Sequence, residues 1–205
     1  MKVFLDSVGC RLNQSELESY ARQLRAAGHD LVPDPEQADV TVVNTCTVTV
    51  AAAADSRKKI RRAARAGCGE VVVTGCWSTL LPRRAASLPR VGRVIPNAEK
   101  DTLVAEMLSL PPEEIAGDSG PRVPVPGPRM RTRAFIKAQD GCDNHCSFCI
   151  TKLARGPSRS RPVEAVLADV DAALAGGSQE VILTGVNLGA WGRDLPSRPG
   201  LAALI

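Results

Sequence analysis

The stretch DVTVVNTC, residues 39–46, sets a run of β-branched residues directly before Asn-Thr-Cys. Val and Thr side chains fit a pleated, buried backbone and lose freedom in a helix, so 39–43 predicts a strand with Cys46 just past its end. The same grammar occurs twice more: KVFL at 2–5 runs toward Cys10, and EVVVT at 70–74 runs into Gly75-Cys76. Helical patterns separate these strands. SELE at 15–18 has capping-box spacing, with Ser15 as N-cap and Glu18 placed to reach back to its amide. Leu17, Tyr20, Ala21 and Leu24 share the face that follows, and Gly28 closes it. A second helix is predicted over roughly 52–66, an edge strand at 93–96 and a closing helix over 100–110. Strand–helix alternation predicts an α/β class, a doubly wound parallel sheet. Such sheets bind ligands beyond the carboxyl ends of their strands. If the three strands are neighbours, Cys10, Cys46 and Cys76 converge on one point. Taken alone, they read equally well as small buried hydrophobes. Cys68, in Gly67-Cys68-Gly69 before a strand, falls on the opposite edge of the sheet and is left out.

Composition bounds the rest. The chain has 205 residues, 44% of them hydrophobic and only 3% aromatic, so the core must be Val, Leu, Ile and Ala. Lys and Arg number 26 against 22 acidic residues, a mild basicity that permits a nucleic-acid partner without requiring one. No apolar run is long enough to span a bilayer and no signal peptide is visible, so a cytoplasmic protein is expected. Seven cysteines in a reducing compartment read as metal ligands or reactive thiols before disulfides.

A Pro- and Gly-rich stretch without periodicity, residues 111–130, predicts a linker. Beyond it lie a strand at 134–139, a helix over 162–175 and a strand at 180–185. Between the first strand and the helix stands CDNHCSFC, residues 142–149, with Cys142, Cys146 and Cys149 in one short loop. Disulfides within so short a loop would be strained. Structural zinc takes four protein ligands, and His145 beside Cys146 is the only local fourth. A 4Fe–4S cluster held by three thiolates, with one iron lacking a protein ligand, suits the loop better.

C-x-x-x-C-x-x-C after a strand, with Phe148 before the last Cys, resembles the loop of the radical S-adenosylmethionine enzymes. In that superfamily the amino and carboxylate groups of the methionine moiety ligate the fourth iron, which implies that the vacancy is the cofactor site. An electron passed into the sulfonium there breaks a C–S bond and leaves a 5′-deoxyadenosyl radical. GCRLNQSE, NTCTVT and TGC, followed by IKAQDGCDNHCSFCI and ARGPSRSRP, resemble the methylthiotransferases along essentially the whole chain. The resemblance implies an N-terminal domain over 1–110, the linker, and over 131–205 the incomplete start of a radical S-adenosylmethionine partial (β/α) barrel. It implies a second 4Fe–4S cluster on Cys10, Cys46 and Cys76, whose open iron takes an exogenous sulfur. Cys68 is then spare.

Within the family, GCRLNQSE, SRKKIRRAAR and ARGPSRSRP look most like the branch that methylthiolates C2 of N6-threonylcarbamoyladenosine beside the anticodon of tRNA. The isopentenyladenosine branch reads more like GCQMN and the ribosomal-protein S12 aspartate branch more like GCPKN. One departure is Ile150-Thr151-Lys152-Leu153 where many relatives have Ile-Ile-Pro-Tyr; it touches no cluster ligand. The partners implied are tRNA, an electron donor such as flavodoxin or ferredoxin, and a sulfur donor. Thr184-Gly185 falls where the superfamily approaches the S-adenosylmethionine amino group, and Phe148 stands beside either the adenine or the core. The basic run 57–65 reads equally as a solvated helix face or as phosphate contacts, while Lys152, Arg155, Arg159 and Arg161 read as substrate or cofactor contacts. The rival from another class is an iron–sulfur electron-transfer module, which gains nothing from irons without protein ligands. A second unit with barely two strand–helix pairs reads as unfinished, so the chain is expected to be a piece of a longer protein and inactive by itself.

Overall fold

The computed structural model describes residues 1–115, 120–126 and 133–205. Its first part runs β1 (Lys2–Ser7), α1 (Arg11–Ala26), β2 (Asp30–Leu31), β3 (Val40–Thr45), α2 (Val50–Arg65), β4 (Glu70–Gly75), α3 (Cys76–Leu80), α4 (Pro82–Ala86), β5 (Val91–Ile95) and α5 (Leu103–Leu108). The five strands form one parallel sheet in the order β2-β1-β3-β4-β5. β3 sits at the centre and is buried at every position, which is why 40–45 shows no polar alternation. Successive side chains point to opposite faces. Val42 and Val72 join Leu17, Tyr20, Leu24 and Leu103 in one core cluster, while Val43, Val71 and Val73 join Ile60, Trp77 and Ala85 in the other. The sheet is therefore covered on both faces, the doubly wound α/β fold.

Two helix starts differ from the sequence expectation. α1 begins at Arg11 with Cys10 at the N-cap, so SELE makes no capping box. Gly9, at φ +96°, turns the chain off β1 directly into the helix and puts the N-cap at Cys10, five residues earlier than expected. Ser15 is left a full turn inside, where its hydroxyl accepts the Lys137 amide (2.9 Å), and Glu18 pairs with Arg122 (3.2 Å). α2 begins at Val50 because the Thr49 side chain accepts the Ala52 amide (3.0 Å) and caps it.

The second part runs β6 (Arg133–Lys137), β7 (Gln139–Asp140), α6 (Ile150–Arg155), β8 (Arg159–Ser160), α7 (Val163–Ala175) and β9 (Glu180–Thr184). The strand expected over 134–139 divides at Ala138, whose amide still donates to Thr184 O of β9 (2.9 Å) while its carbonyl accepts the Arg161 amide (2.9 Å). β6 and β9 pair in parallel with α7 between them in sequence, packed on Ala134, Ile136, Val166, Ala173 and Trp191. This is the βαβ unit from which β/α barrels are assembled. β7 and β8 pair antiparallel and bracket the cysteine loop.

The two parts meet along α1 and β6, and along α3 and α6. Residues 116–119 and 127–130 of the expected linker, and 131–132 after it, lie outside the described residues. The described piece between them follows α1, where Arg25 donates to Val123 O (2.8 Å) and Pro124 O (3.0 Å) and Arg122 to Ser15 O (2.9 Å).

Candidate functional site

β1, β3 and β4 are adjacent in the sheet, so their carboxyl ends lie side by side. Cys10 is the N-cap of α1, Cys46 follows β3, and Cys76 opens α3. Cys46 and Cys76 are buried and Cys10 is exposed. Two glycines let the loops close in. A Cβ at Gly9 would stand 2.6 Å from the Cys46 sulfur, and one at Gly75 would stand 2.3 Å from Thr45 O; both residues hold φ +96°. Asn13 ties the β1 and β3 loops together by donating to Val8 O (2.8 Å) and Thr45 O (3.1 Å). Asn97 donates to the Cys76 sulfur (3.7 Å) and to Ala154 O of α6 (2.7 Å). Burial pushes the Cys76 thiol up against the opposing charge of Arg155, and nearby Cys10 and Cys46 add to the rise. Cys68 lies away from this group, buried on the amino-terminal edge of β4 with its thiol donating to Ala63 O (3.2 Å).

The loop of Cys142, Cys146 and Cys149 rests on a buried Gln139. Its amide donates to Asp140 O (2.8 Å), Gly141 O (2.7 Å) and Ser158 Oγ (3.0 Å), and its oxygen accepts the Asn187 amide (2.9 Å). The sequence places this residue at the end of a strand and within the IKAQDGC stretch, but gives it no role of its own. Gly141, at φ +67°, is the other fixed point: a Cβ there would lie 1.8 Å from Pro157 O. Cys142 donates its amide to Gly156 O (3.0 Å), and Cys149 donates its own to Cys146 O (3.2 Å). Cys149 is the N-cap of α6, and the Lys152 amide there lowers its thiol pKa. Phe148 is 89% exposed and so is not part of the core. Thr184 ends β9, and Gly185 approaches the Gln139 oxygen so closely that a Cβ would lie 2.9 Å from it.

Among the described residues no three His, Cys, Asp or Glu side chains gather tightly enough to hold a single metal ion. A four-iron cluster asks for a different arrangement, in which separate irons take separate thiolates. Three cysteines on three abutting loops, crowded only as far as two glycines allow, fit such a group. The three-cysteine loop fits one also, while His145 is exposed and sits 3.0 Å from Lys152 Nζ.

α6 joins the two cysteine sets. Cys149 caps its start, and its last residue, Arg155, reaches back into the strand-end set. Nη1 of Arg155 donates to Glu16 (3.1 Å) and Asp140 (2.9 Å), and Nη2 to Asn13 (2.7 Å) and the Cys10 sulfur (3.9 Å). Arg155 is therefore engaged inside the protein and does not face a substrate. Arg161 likewise pairs with Asp169. On the basic helix α2, Lys59 pairs with Asp6 and Arg57 lies over Trp77 (5.9 Å), while Lys58, Arg61, Arg62 and Arg65 stay exposed.

Lys100, fully buried, completes the interior network at 2.5 Å from Glu16 and 2.6 Å from Asp140. Burial raises the Glu16 carboxyl, but Lys100, Arg155 and Lys137 outweigh it and hold the group at about 2. Asp140 is lowered in the same way by Arg155 and Lys100. A carboxylate depressed on folding stabilises the fold above its unfolded pKa, 4.5 for Glu16, and loses that contribution as pH falls toward 2. The unfolding free energy from urea titrations is expected to fall below about pH 4.5, by on the order of 3 kcal/mol from Glu16, and the urea midpoint with it. A midpoint that stays level down to about pH 3 would contradict the network.

The α/β fold described above has a counterpart among solved structures. A solved structure of the radical S-adenosylmethionine methyltransferase TsrM from Kitasatospora setae superposes with a TM-score of 0.59 over 92% of this chain and 48% of that one, at 16% identity. A family model described as Uncharacterized protein family UPF0004 matches residues 2–95. Two curated proteins named Threonylcarbamoyladenosine tRNA methylthiotransferase MtaB are each 36% identical: the one from Chlamydia pneumoniae over 89% of this chain and 42% of its own length, the one from Thermotoga maritima over 99% and 48%. Ribosomal protein uS12 methylthiotransferase RimO of Anaeromyxobacter sp. (strain K) is 34% identical over 100% of this chain and 46% of its own. The chain is similar to these methylthiotransferases along nearly its whole length, and it spans about half the length of the curated relatives it matches. Among the described residues no helix is long and apolar enough to cross a membrane.

Proposed function

We propose that this chain serves methylthiolation of tRNA at C2 of N6-threonylcarbamoyladenosine, giving 2-methylthio-N6-threonylcarbamoyladenosine. The observation that carries the reading is the meeting of two cysteine triads at the two ends of α6, one from neighbouring strand ends and one from a loop. Residues 1–110 are the unit that holds the auxiliary cluster on Cys10, Cys46 and Cys76, residues 111–130 the linker, and residues 131–205 the radical S-adenosylmethionine core with its cluster on Cys142, Cys146 and Cys149. Bound there, two 4Fe–4S clusters supply one-electron chemistry on S-adenosylmethionine and a site for the sulfur to be transferred. The chain's own residues hold and orient them. Gln139 and Gly141 fix the base of the loop, Gly9 and Gly75 permit the close approach of the strand-end cysteines, and Asn97 and Arg155 bind α6 to them. Thr184 and Gly185 border the S-adenosylmethionine amino group, and the exposed Phe148 ring is free to stack on its adenine. tRNA, a flavodoxin- or ferredoxin-like electron donor and a sulfur donor are the partners, in the cytoplasm.

Protein purified without oxygen is expected to be brown and to carry about eight irons per chain in two clusters of four. One or two zinc ions in place of iron after reconstitution would refute this. The substrate is tested by mass spectrometry of tRNA from a deletion strain, where the 2-methylthio group should vanish. A second reading, methylthiolation of the ribosomal protein S12 aspartate, draws on the relative that matches this chain from end to end at 34% identity. An unchanged tRNA together with an S12 peptide lacking its methylthio group would establish it instead.

A further inference from the structure

Arg155 belongs by sequence to the loop half of the molecule, yet its guanidinium ends among residues of the sheet half. It is 3% exposed. Its two edges face different groups: Nη1 meets the Glu16 and Asp140 carboxylates, and Nη2 meets Asn13 and, at 3.9 Å, the Cys10 sulfur. A structural clasp needs only the first edge. The second brings a permanent cation and an N–H to one of the thiols of the strand-end triad; the guanidinium itself is buried, while Cys10 is exposed. The other side chains hydrogen-bonded to sulfurs of that triad among the described residues are neutral: Asn97 on Cys76 (3.7 Å), and Asn13, whose Oδ1 accepts from the Cys10 thiol (3.6 Å). Lys100, the other buried cation of the network, is spent on Glu16 and Asp140.

We infer that Arg155 sets the reduction potential of the strand-end centre, holding it higher than the three thiolates alone would leave it. This rests on the reading of Cys10, Cys46 and Cys76 as ligands of a 4Fe–4S cluster. Reduction adds one electron from an external one-electron donor and moves no proton, so the centre becomes more negative by one charge. A cation and an N–H donor beside a ligand sulfur favour that more negative form. The effect is strongest where the local dielectric is low, as it is for a buried guanidinium. Arg155 exchanges neither electron nor proton; it is a positioning residue that supplies charge. Because it is the last residue of the helix that Cys149 opens, about 9 Å further along at 1.5 Å per residue, any movement of the loop is transmitted to this charge.

The test isolates one centre. In the full chain with Cys142, Cys146 and Cys149 all replaced by Ala, the remaining cluster is reconstituted and titrated with dithionite, followed by electron paramagnetic resonance. With Arg155→Gln the midpoint is expected to fall, so that at the parent's midpoint the reduced-to-oxidised ratio drops at least tenfold, or 59 mV for one electron. Arg155→Lys, which keeps the charge, should recover most of that shift. Should Arg155→Gln fail to fold, Glu16→Gln/Arg155→Gln is compared with Glu16→Gln, because removing one carboxylate leaves the Asp140–Lys100 pair balanced. The same fall is expected there. A cluster that is present with one midpoint in all variants overturns the inference, whatever happens to thermal stability. A background that binds no four-iron cluster overturns the reading beneath it.

Discussion

Cys46→Ala is expected to leave about four of about eight irons in place, and to leave 5′-deoxyadenosine formation intact while methylthio transfer disappears. Cys46 sits at the end of β3 with its amide donating to Ser56 Oγ (3.0 Å), remote in sequence from the loop. Removing its sulfur strips a ligand from one centre only. Cys146→Ala should do the reverse, losing both 5′-deoxyadenosine and the methylthio product, since on the proposed assignment the loop holds the cluster that binds S-adenosylmethionine. The backbone of the Cys146 loop is held by Gln139 and by the Cys142 amide on Gly156 O, so the substitution removes a ligand without unfolding the base. Cys68→Ala is the control. Its thiol donates to Ala63 O on the far edge of the sheet, so it should cost about 1 kcal/mol of stability and neither activity. Measuring 5′-deoxyadenosine and methylthiolated nucleoside in one reaction separates these outcomes. Loss of 5′-deoxyadenosine in Cys46→Ala, with the loop still carrying its four irons, would show that the two sites do not divide the work in this way.

Gly141→Ala should be the most damaging of the single-methyl changes. Its Cβ would lie 1.8 Å from Pro157 O at a φ of +67°, so the 156–157 turn must move and the cysteine loop with it. The expected cost is roughly 3 kcal/mol, seen as a fall in Tm of roughly 6–12 °C, together with loss of the irons held by the loop. Gly156→Ala isolates the cause. That residue, at φ +76° and ψ −157°, also holds a backbone region that favours Gly but has nothing within 4 Å of the added methyl, so only backbone strain remains, roughly 1–3 kcal/mol. Equal losses at the two positions would show that the dihedral, and not the contact with Pro157, fixes the loop.

The sheet was legible because burial on both faces writes itself into sequence as runs such as VTVV and VVV, and the chain then leaves each strand at a Cys. Adjacency of β1, β3 and β4 was the one condition that periodicity could not supply, and the strand order meets it. What stayed hidden is long-range polar pairing. Glu16, Lys100 and Asp140 carry no sign of burial in sequence, and Arg155 reads there as a substrate or cofactor contact, yet they pair with partners as much as 139 residues away and are all but excluded from water. The same blindness produced the capping box at 15–18: Ser15 and Glu18 had the right spacing for a local role, but Lys137 and Arg122 use them instead. α6 was also missed. Six residues hold too little of a helical period to be read, and its stability comes from the contacts of Ala154 and Arg155 with the sheet half.

The ionic character of the seam between the two halves bears on how the chain is made. Glu16 and Lys100 both leave the ribosome before Asp140 and Arg155 have been synthesised. During that interval the nascent sheet half shows the cytosol a seam of carboxylate, ammonium, hydroxyl and amide groups, where an apolar seam would have offered a landing place for other unfinished chains. Wetness protects the half-made protein. The cost falls later, when four charges must shed their water together before the seam can shut. Closure is therefore expected to trail the folding of the sheet and to occur in a single step, once the last turn of α6 delivers its guanidinium.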